Sequence, residues 1–150
     1  MEKIMFKSLL VPISDDALTK VEIKAVLKLA KADAAKITLV YVSDPVAPYS
    51  SSEIDSVLAI TEKEHKKYCE QLAQKVFDKA KKLIGTELKA DQIHVYHSNI
   101  SDGIIEAAKK IKADVIVMSS HKRTGIKGLF LRSEAHEVIL HSSIPVLILN

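Results

Sequence analysis

The chain holds one cysteine, Cys69, in 150 residues, so it can form no intrachain disulfide. It has no apolar run close to the roughly 20 residues of a membrane-spanning helix, so no membrane partner is expected. Its N-terminus shows no secretory or lipidation pattern, and with a single thiol the expected location is a reducing cytoplasm. Charge of one sign is not in marked excess: the formal net charge is +3 and the pI about 8.9. The lysines are spread among glutamates along helical stretches, which reads as solvated helix faces, and no direct nucleic-acid partner is expected. Aromatic residues are scarce, 5% against 47% hydrophobic. The apolar content is therefore mostly Ile, Leu, Val and Ala, which suits parallel strands covered by helices.

Signatures of chemistry are missing as well. The sequence contains no HExxH, CxxC, GxSxG, Walker A or GxGxxG pattern. Six histidines make no metal-ligand spacing: His94 and His97 stand three apart on a strand-like run, His65 sits in a charged helical stretch, and His136 and His141 lie near the last helix. No catalytic and no metal residues are assigned. Cys69 falls on an apolar helical stripe and reads as a core cysteine.

What is present is a regular alternation. Phe6–Ile13 reads as a buried strand, and Asp15 or Asp16 as the cap of a helix running to about Ala32, with Val21, Ala25, Leu29 and Ala32 on one face. Lys36–Val42 is a second strand. A loop with Pro45, Pro48 and Ser50 to Ser52 follows, and helix begins from about Glu53. The pattern is clear from Thr61 to Ile84, where Cys69, Leu72, Val76, Ala80 and Leu83 share a face and Gly85 stops the helix. Asp91–His97 is a third strand, with Ile93 and Val95 on one side. Ser101 is placed to cap a helix through Lys110, Ala113–Ser119 is a fourth strand, Ser133–His141 the last helix, and Pro145–Leu149 a fifth strand. Strands separated by helices predict a three-layer α/β/α sandwich, Rossmann-like, with a five-stranded parallel sheet in the order 3-2-1-4-5 and one domain over residues 1–150.

Such a sheet opens a crevice where the chain reverses, beyond the carboxyl ends of strands one and four. That sets Pro12, Ile13, Ser14 and Asp15 opposite Ser119, Ser120, His121 and Lys122. Asp15, Asp16 and His121 there read either as an acid–base group or as a helix cap with a polar rim. The loop from Ser120 to Ser133 carries Gly125 and Gly128, the cations Lys122, Arg123, Lys127 and Arg132, and a hydroxyl at Ser133 to cap the last helix. A helix N-terminus attracts anions. The residues leave two readings open, a phosphate or nucleotide site and a structural loop at an interface.

The segments LLVPISDD, LVYVSD, ADVIVMSSHKRTGIKGLFLRSEAHEVI and IPVLIL resemble the universal stress protein family, over nearly the whole chain. The resemblance implies a small cytoplasmic domain, usually a homodimer joined through its last strands, here with Val146 and Ile148 as contacts. One subfamily binds ATP or AMP through a glycine, two residues, a second glycine, nine residues, and a glycine followed by serine or threonine. Those places hold Ser119, Lys122, Arg132 and Ser133, and only the final hydroxyl fits. Where the family often has an aspartate two residues after the first-strand proline, this chain has Ser14. Val42 falls at the exit of the second strand and joins the tentative nucleotide set. A Cβ at Lys122 or Arg132 needs room that glycine does not, and a positive φ there would cost about 1 kcal/mol. The first expectation is therefore a non-enzymatic stress-response or signalling homodimer with no high-affinity cofactor. The alternative is an ATP- or AMP-binding regulatory switch, with or without slow hydrolysis. A small hydrolase of unrecognised type comes third.

Overall fold

The computed structural model describes residues 6–14, 20–46, 61–119 and 134–149. Strands and helices alternate along them: β1 (Ser8–Pro12), α1 (Lys20–Asp33), β2 (Lys36–Ser43), α2 (Glu62–Ile84), β3 (Ala90–Tyr96), α3 (Ile100–Ile111), β4 (Val115–Ser119), α4 (Glu134–His141) and β5 (Val146–Leu149). The strands form one parallel sheet in the order β3-β2-β1-β4-β5, as the alternation predicts.

The side-chain period of two sorts the core into two layers. Leu9, Val11, Ile37, Leu39, Val115 and Val117 face α1 and α2, meeting Ile23, Val26, Ala73, Val76 and Phe77. Leu10, Val40, Ile116 and Met118 face the opposite way, against Ile104, Ala107 and Ala108 of α3 and Ala135 and Val138 of α4. The central strands are covered on both faces, which is why their sequences are nearly unbroken apolar runs.

The expected face of α1 is corrected. Ala25 and Ala32 are exposed and Leu29 half-buried, while Glu22, Ile23, Val26 and Ala30 are buried. The larger β-branched residues, with more area to remove from water, set the helix rotation, and alanines tolerate either side. On α2, Cys69, Val76 and Ala80 are buried as expected, joined by His65, Ala73, Phe77 and Ile84, whereas Leu72 and Leu83 are half-buried. Thr61 opens α2 with a capping box: its hydroxyl accepts from Glu64 N while the Glu64 carboxylate accepts from Thr61 N. Gly85 ends the helix at φ 76°, a conformation glycine adopts without strain. For α3 the cap is Asn99, not Ser101. Asn99 Oδ1 accepts both Asp102 N and the Ser101 hydroxyl, so the serine is drawn inside the first turn and buried. The capping role of Asp15 or Asp16, the loop after Val46 and helix before Thr61 lie outside the described residues.

At the amino end of the sheet, Asp114 Oδ2 accepts the N–H groups of Lys7 and Ser8 at 2.6 and 2.9 Å. This carboxylate ties the entry of β1 to the entry of β4.

Candidate functional site

The crevice lies at the other end. β1 is flanked by β2 and β4, and the order reverses between β1 and β4. Pro12 and Ile13 are buried there, and Ser14 is half-buried. Ile13 N donates to Val40 O at 2.9 Å, which carries the chain past the last β1 pairing, Pro12 to Val40. Across the crevice is Ser119, the last residue of β4. The structure thus brings Pro12, Ile13 and Ser14 to the same end of the sheet as Ser119. Asp15, Ser120, His121, Lys122, Arg132 and Ser133, and with them the acid–base and basic-loop readings, lie outside the described residues.

Val42 sits one strand further along, half-buried and turned towards α3. Its two methyls pass over Gly103, where a Cβ would meet Val42 Cγ1 at 2.8 Å and His97 Cβ at 3.1 Å. A glycine in the first turns of α3 is what lets the helix approach this strand exit so closely.

Sequence reasoning missed Glu22. It stands in the first turn of α1, is buried, and its Oε1 accepts the Ser119 hydroxyl at 2.5 Å. The signal was present: Glu22, Val26 and Ala30 are spaced i, i+4, i+8, the line that the corrected helix phase buries. The first helical turn is also where a carboxylate is favoured by the helix dipole.

A second polar group lies beneath the start of α2. Ser43 Oγ and His94 Nε2 are 2.8 Å apart, and the His94 ring leans on Tyr41 and Tyr96. Burial holds the His94 imidazole below its ordinary titration range, with Glu70 acting weakly the other way. Burial likewise raises the Tyr96 phenol. His65 Nε2 is 2.8 Å from Asp44 O, so this nitrogen carries the proton and donates, pinning α2 to the end of β2. Cys69 Sγ is 3.5 Å from the same nitrogen and buried. Among the described residues no group of three or more His, Cys, Asp or Glu side chains is arranged to hold a metal, and no helix is long and apolar enough to cross a membrane.

On β5, Val146 and Ile148 are half-buried against the α3–α4 side of the core, and Leu147 is exposed.

The chain matches the model of the universal stress protein family over residues 5–150. It is 26% identical over 146 residues to the universal stress protein MJ0531 of Methanocaldococcus jannaschii, covering 97% of this chain and 83% of that protein. Of solved structures, that of the hypothetical protein MJ0577, studied for structure-based assignment of its biochemical function, is 28% identical with a TM-score of 0.72, covering 97% of this chain and 96% of the other. A universal stress protein solved in complex with cAMP is 20% identical with a TM-score of 0.58, covering 97% and 98%. At that identity the likeness is one of fold.

Proposed function

The chain belongs to the universal stress protein family, and on that premise we propose that it is a regulatory protein that responds to an adenine nucleotide held in the β1–β4 crevice. The observation that carries this reading is the convergence of Pro12, Ile13 and Ser14 with Ser119 at the point where the strand order reverses, the general ligand position of such sheets. A protein of the same fold has been solved with cAMP. The two together favour nucleotide binding over the ligand-free protein expected first from the sequence. The protein signals through its bound state and catalyses no reaction of its own.

Binding of ATP is weak in this proposal, because Ser119, Lys122 and Arg132 stand where a phosphate-cradling loop would carry glycine. The expected Kd for Mg-ATP is above about 100 μM, or weaker than about −5.5 kcal/mol. Isothermal titration of nucleotide-free protein with AMP and with Mg-ATP tests both parts. Absence of binding by either nucleotide at millimolar concentration would reject the nucleotide reading. A low-micromolar Kd for Mg-ATP would reject only its weakness.

The proposal includes a homodimer through β5. This strand is an edge of the sheet, and unpaired edges invite partner strands. Leu147 is exposed on it, and Ile139 and Leu140 are exposed on the neighbouring α4. Val146 and Ile148 are the expected flanking contacts.

A further inference from the structure

The amino end of the sheet, opposite the crevice, gathers cations. Each helix returns the chain to this end. The last turns of α1, α2 and α3 carry Lys31, Lys81 with Lys82, and Lys109 with Lys110. Cations there complement the helix dipole, so these five are accounted for. Four more lysines stand at the entrances of four neighbouring strands: Lys89 before β3, Lys36 at the start of β2, Lys7 before β1 and Lys112 before β4. All four are exposed. The carboxylates of this end are Asp33, Glu87, Asp91 and Asp114. Glu87 pairs with Lys31 and Asp91 with Lys36, while Asp33 and Asp114 accept the backbone N–H groups of Phe6, Lys7 and Ser8. Nine lysines against four carboxylates leave a surplus of five at this one end, whereas the whole chain carries +3. The rest of the chain is on balance acidic.

Three of the four entrance lysines lie where local physics favours another residue. Lys112 caps the end of α3 at φ 55°. That left-handed conformation costs a residue with a Cβ about 1 kcal/mol, and glycine adopts it freely. The β2–β3 register, with Ile37 beside Ala90, continues outward to set Lys36 beside Lys89. Like charges opposite one another destabilise a sheet. Lys36 Nζ is 2.7 Å from Asp91 Oδ2 and holds that carboxyl below its ordinary range, and Lys89 and Lys81 act in the same direction. Three ammonium groups thus bear on one carboxylate.

We infer that this lysine-rich end is a docking surface for an acidic, extended segment of a partner protein. Neighbouring strands are about 4.8 Å apart, so the four entrances span about 14 Å, the length of about four extended residues. Carboxylates suit the surface better than nucleic acid does. No arginine occurs among the described residues to grip a phosphate with two parallel bonds. The helices end here in C-terminal carbonyls, and the free N–H groups that bind phosphate are at their other ends. Tyr68, the one exposed aromatic residue among those described, is in the second turn of α2, towards the crevice end, so no ring is at hand for base stacking. A partner held at the amino end leaves the crevice open.

Fluorescence anisotropy of labelled hexaglutamate, titrated with the full chain at about 0.1 M salt, tests this. The wild type binds the peptide, and affinity falls as salt is raised, because exposed charges are screened. Lys7→Ala, Lys89→Ala and Lys112→Gly each weaken binding about two- to fivefold, the size of an exposed ion pair, and the three together about tenfold or more. Lys112→Gly also relieves the left-handed cap, so it raises the melting temperature while it weakens binding. A variant that merely loosened the fold would not do both. Lys24→Ala, Lys63→Ala and Lys67→Ala together remove the same charge from the crevice-end halves of α1 and α2. At more than the Debye length of about 10 Å, they change binding by less than about twofold. A wild type that does not bind hexaglutamate overturns the inference. So do equal losses in the two triple variants, which would make net charge the cause, and so does tighter binding of an oligothymidylate of equal charge.

Discussion

Replacing Gly103 by alanine sets two effects of known size against each other. A glycine inside a helix costs about 0.8–1.0 kcal/mol relative to alanine, so the substitution should stabilise α3 by about that much if the new methyl had room. It does not have room. The added Cβ would lie 2.8 Å from Val42 Cγ1, 3.2 Å from Val42 Cγ2 and 3.1 Å from His97 Cβ. Val42 is β-branched and stiff at χ1, and both of its methyls face the glycine, so rotating the side chain exchanges one close contact for another. Overpacking of this kind costs about 1–3 kcal/mol. The net expectation is a loss of about 1 kcal/mol, which lowers the melting temperature by about 2–4 °C in a chain of this size. The two effects separate in a double-mutant cycle measured by urea unfolding and far-UV circular dichroism. In a Val42→Ala background the two Val42 contacts are gone and only His97 Cβ, at 3.1 Å, remains close, so Gly103→Ala should become neutral to stabilising, by up to about 1 kcal/mol, a coupling of about 1–2 kcal/mol. A coupling near zero, with Gly103→Ala stabilising in both backgrounds, would show that the helix moves away from β2 freely and would refute the argument that glycine sets the approach of α3 to the strand exit.

Asp114→Ala should destabilise by about 2–3 kcal/mol, because two backbone N–H groups lose a charged acceptor; Asp114→Asn, which keeps one acceptor oxygen, should lose less in the same urea titration. His94 titrates below its ordinary value of 6.5 because it is buried. The folded state therefore favours the neutral ring, and the associated stability is present above the unfolded pKa and lost as pH falls through the folded one. Unfolding measured from pH 7 down to pH 5 should show this loss in the wild type and a smaller one in His94→Asn; equal slopes would remove His94 as the cause. Sedimentation equilibrium at micromolar concentration should give about twice the chain mass of 16.6 kDa, and Leu147→Glu should give the monomer. A monomeric wild type would contradict the proposed pairing of β5.

The order of the sheet was legible because the central strands are nearly unbroken apolar runs, β3 sets Ile93 and Val95 on one side, and the helices between them are amphipathic, periods that do not resemble one another. What failed was phase and partnership. Along α1, alanines at positions 25, 30 and 32 carry little burial signal, and only Ile23 and Val26 fix the rotation. Asn99 and Ser101 are both good capping residues two positions apart, and the choice between them is made by the geometry in which one accepts from the other. Ser43 and His94 meet because β2 and β3 pair with Tyr41 beside His94 and Ser43 beside Tyr96. That register is a tertiary fact with no local sequence signature. The reversal of strand order between β1 and β4 was legible from topology, yet the burial of Glu22 beside it was not, since a charged residue in a helix reads as solvent-facing until its spacing with Val26 and Ala30 is taken seriously.

Glu22 also changes what the missing glycines mean. Taken alone, Ser119 in place of a glycine looks like a simple loss of access for a phosphate. In the structure the same serine supplies a hydroxyl to a buried carboxylate, so the residue at 119 and the residue at 22 are one arrangement. Glycine at 119 would open the backbone but withdraw a donor from Glu22, and leaving a buried charged group short of a donor costs about 1–3 kcal/mol or more. The departures at Lys122 and Arg132 differ in kind, since each adds positive charge to the sequence that follows β4. Restoring glycine at 119 therefore trades packing stability for backbone access, whereas the changes at Lys122 and Arg132 trade access for charge.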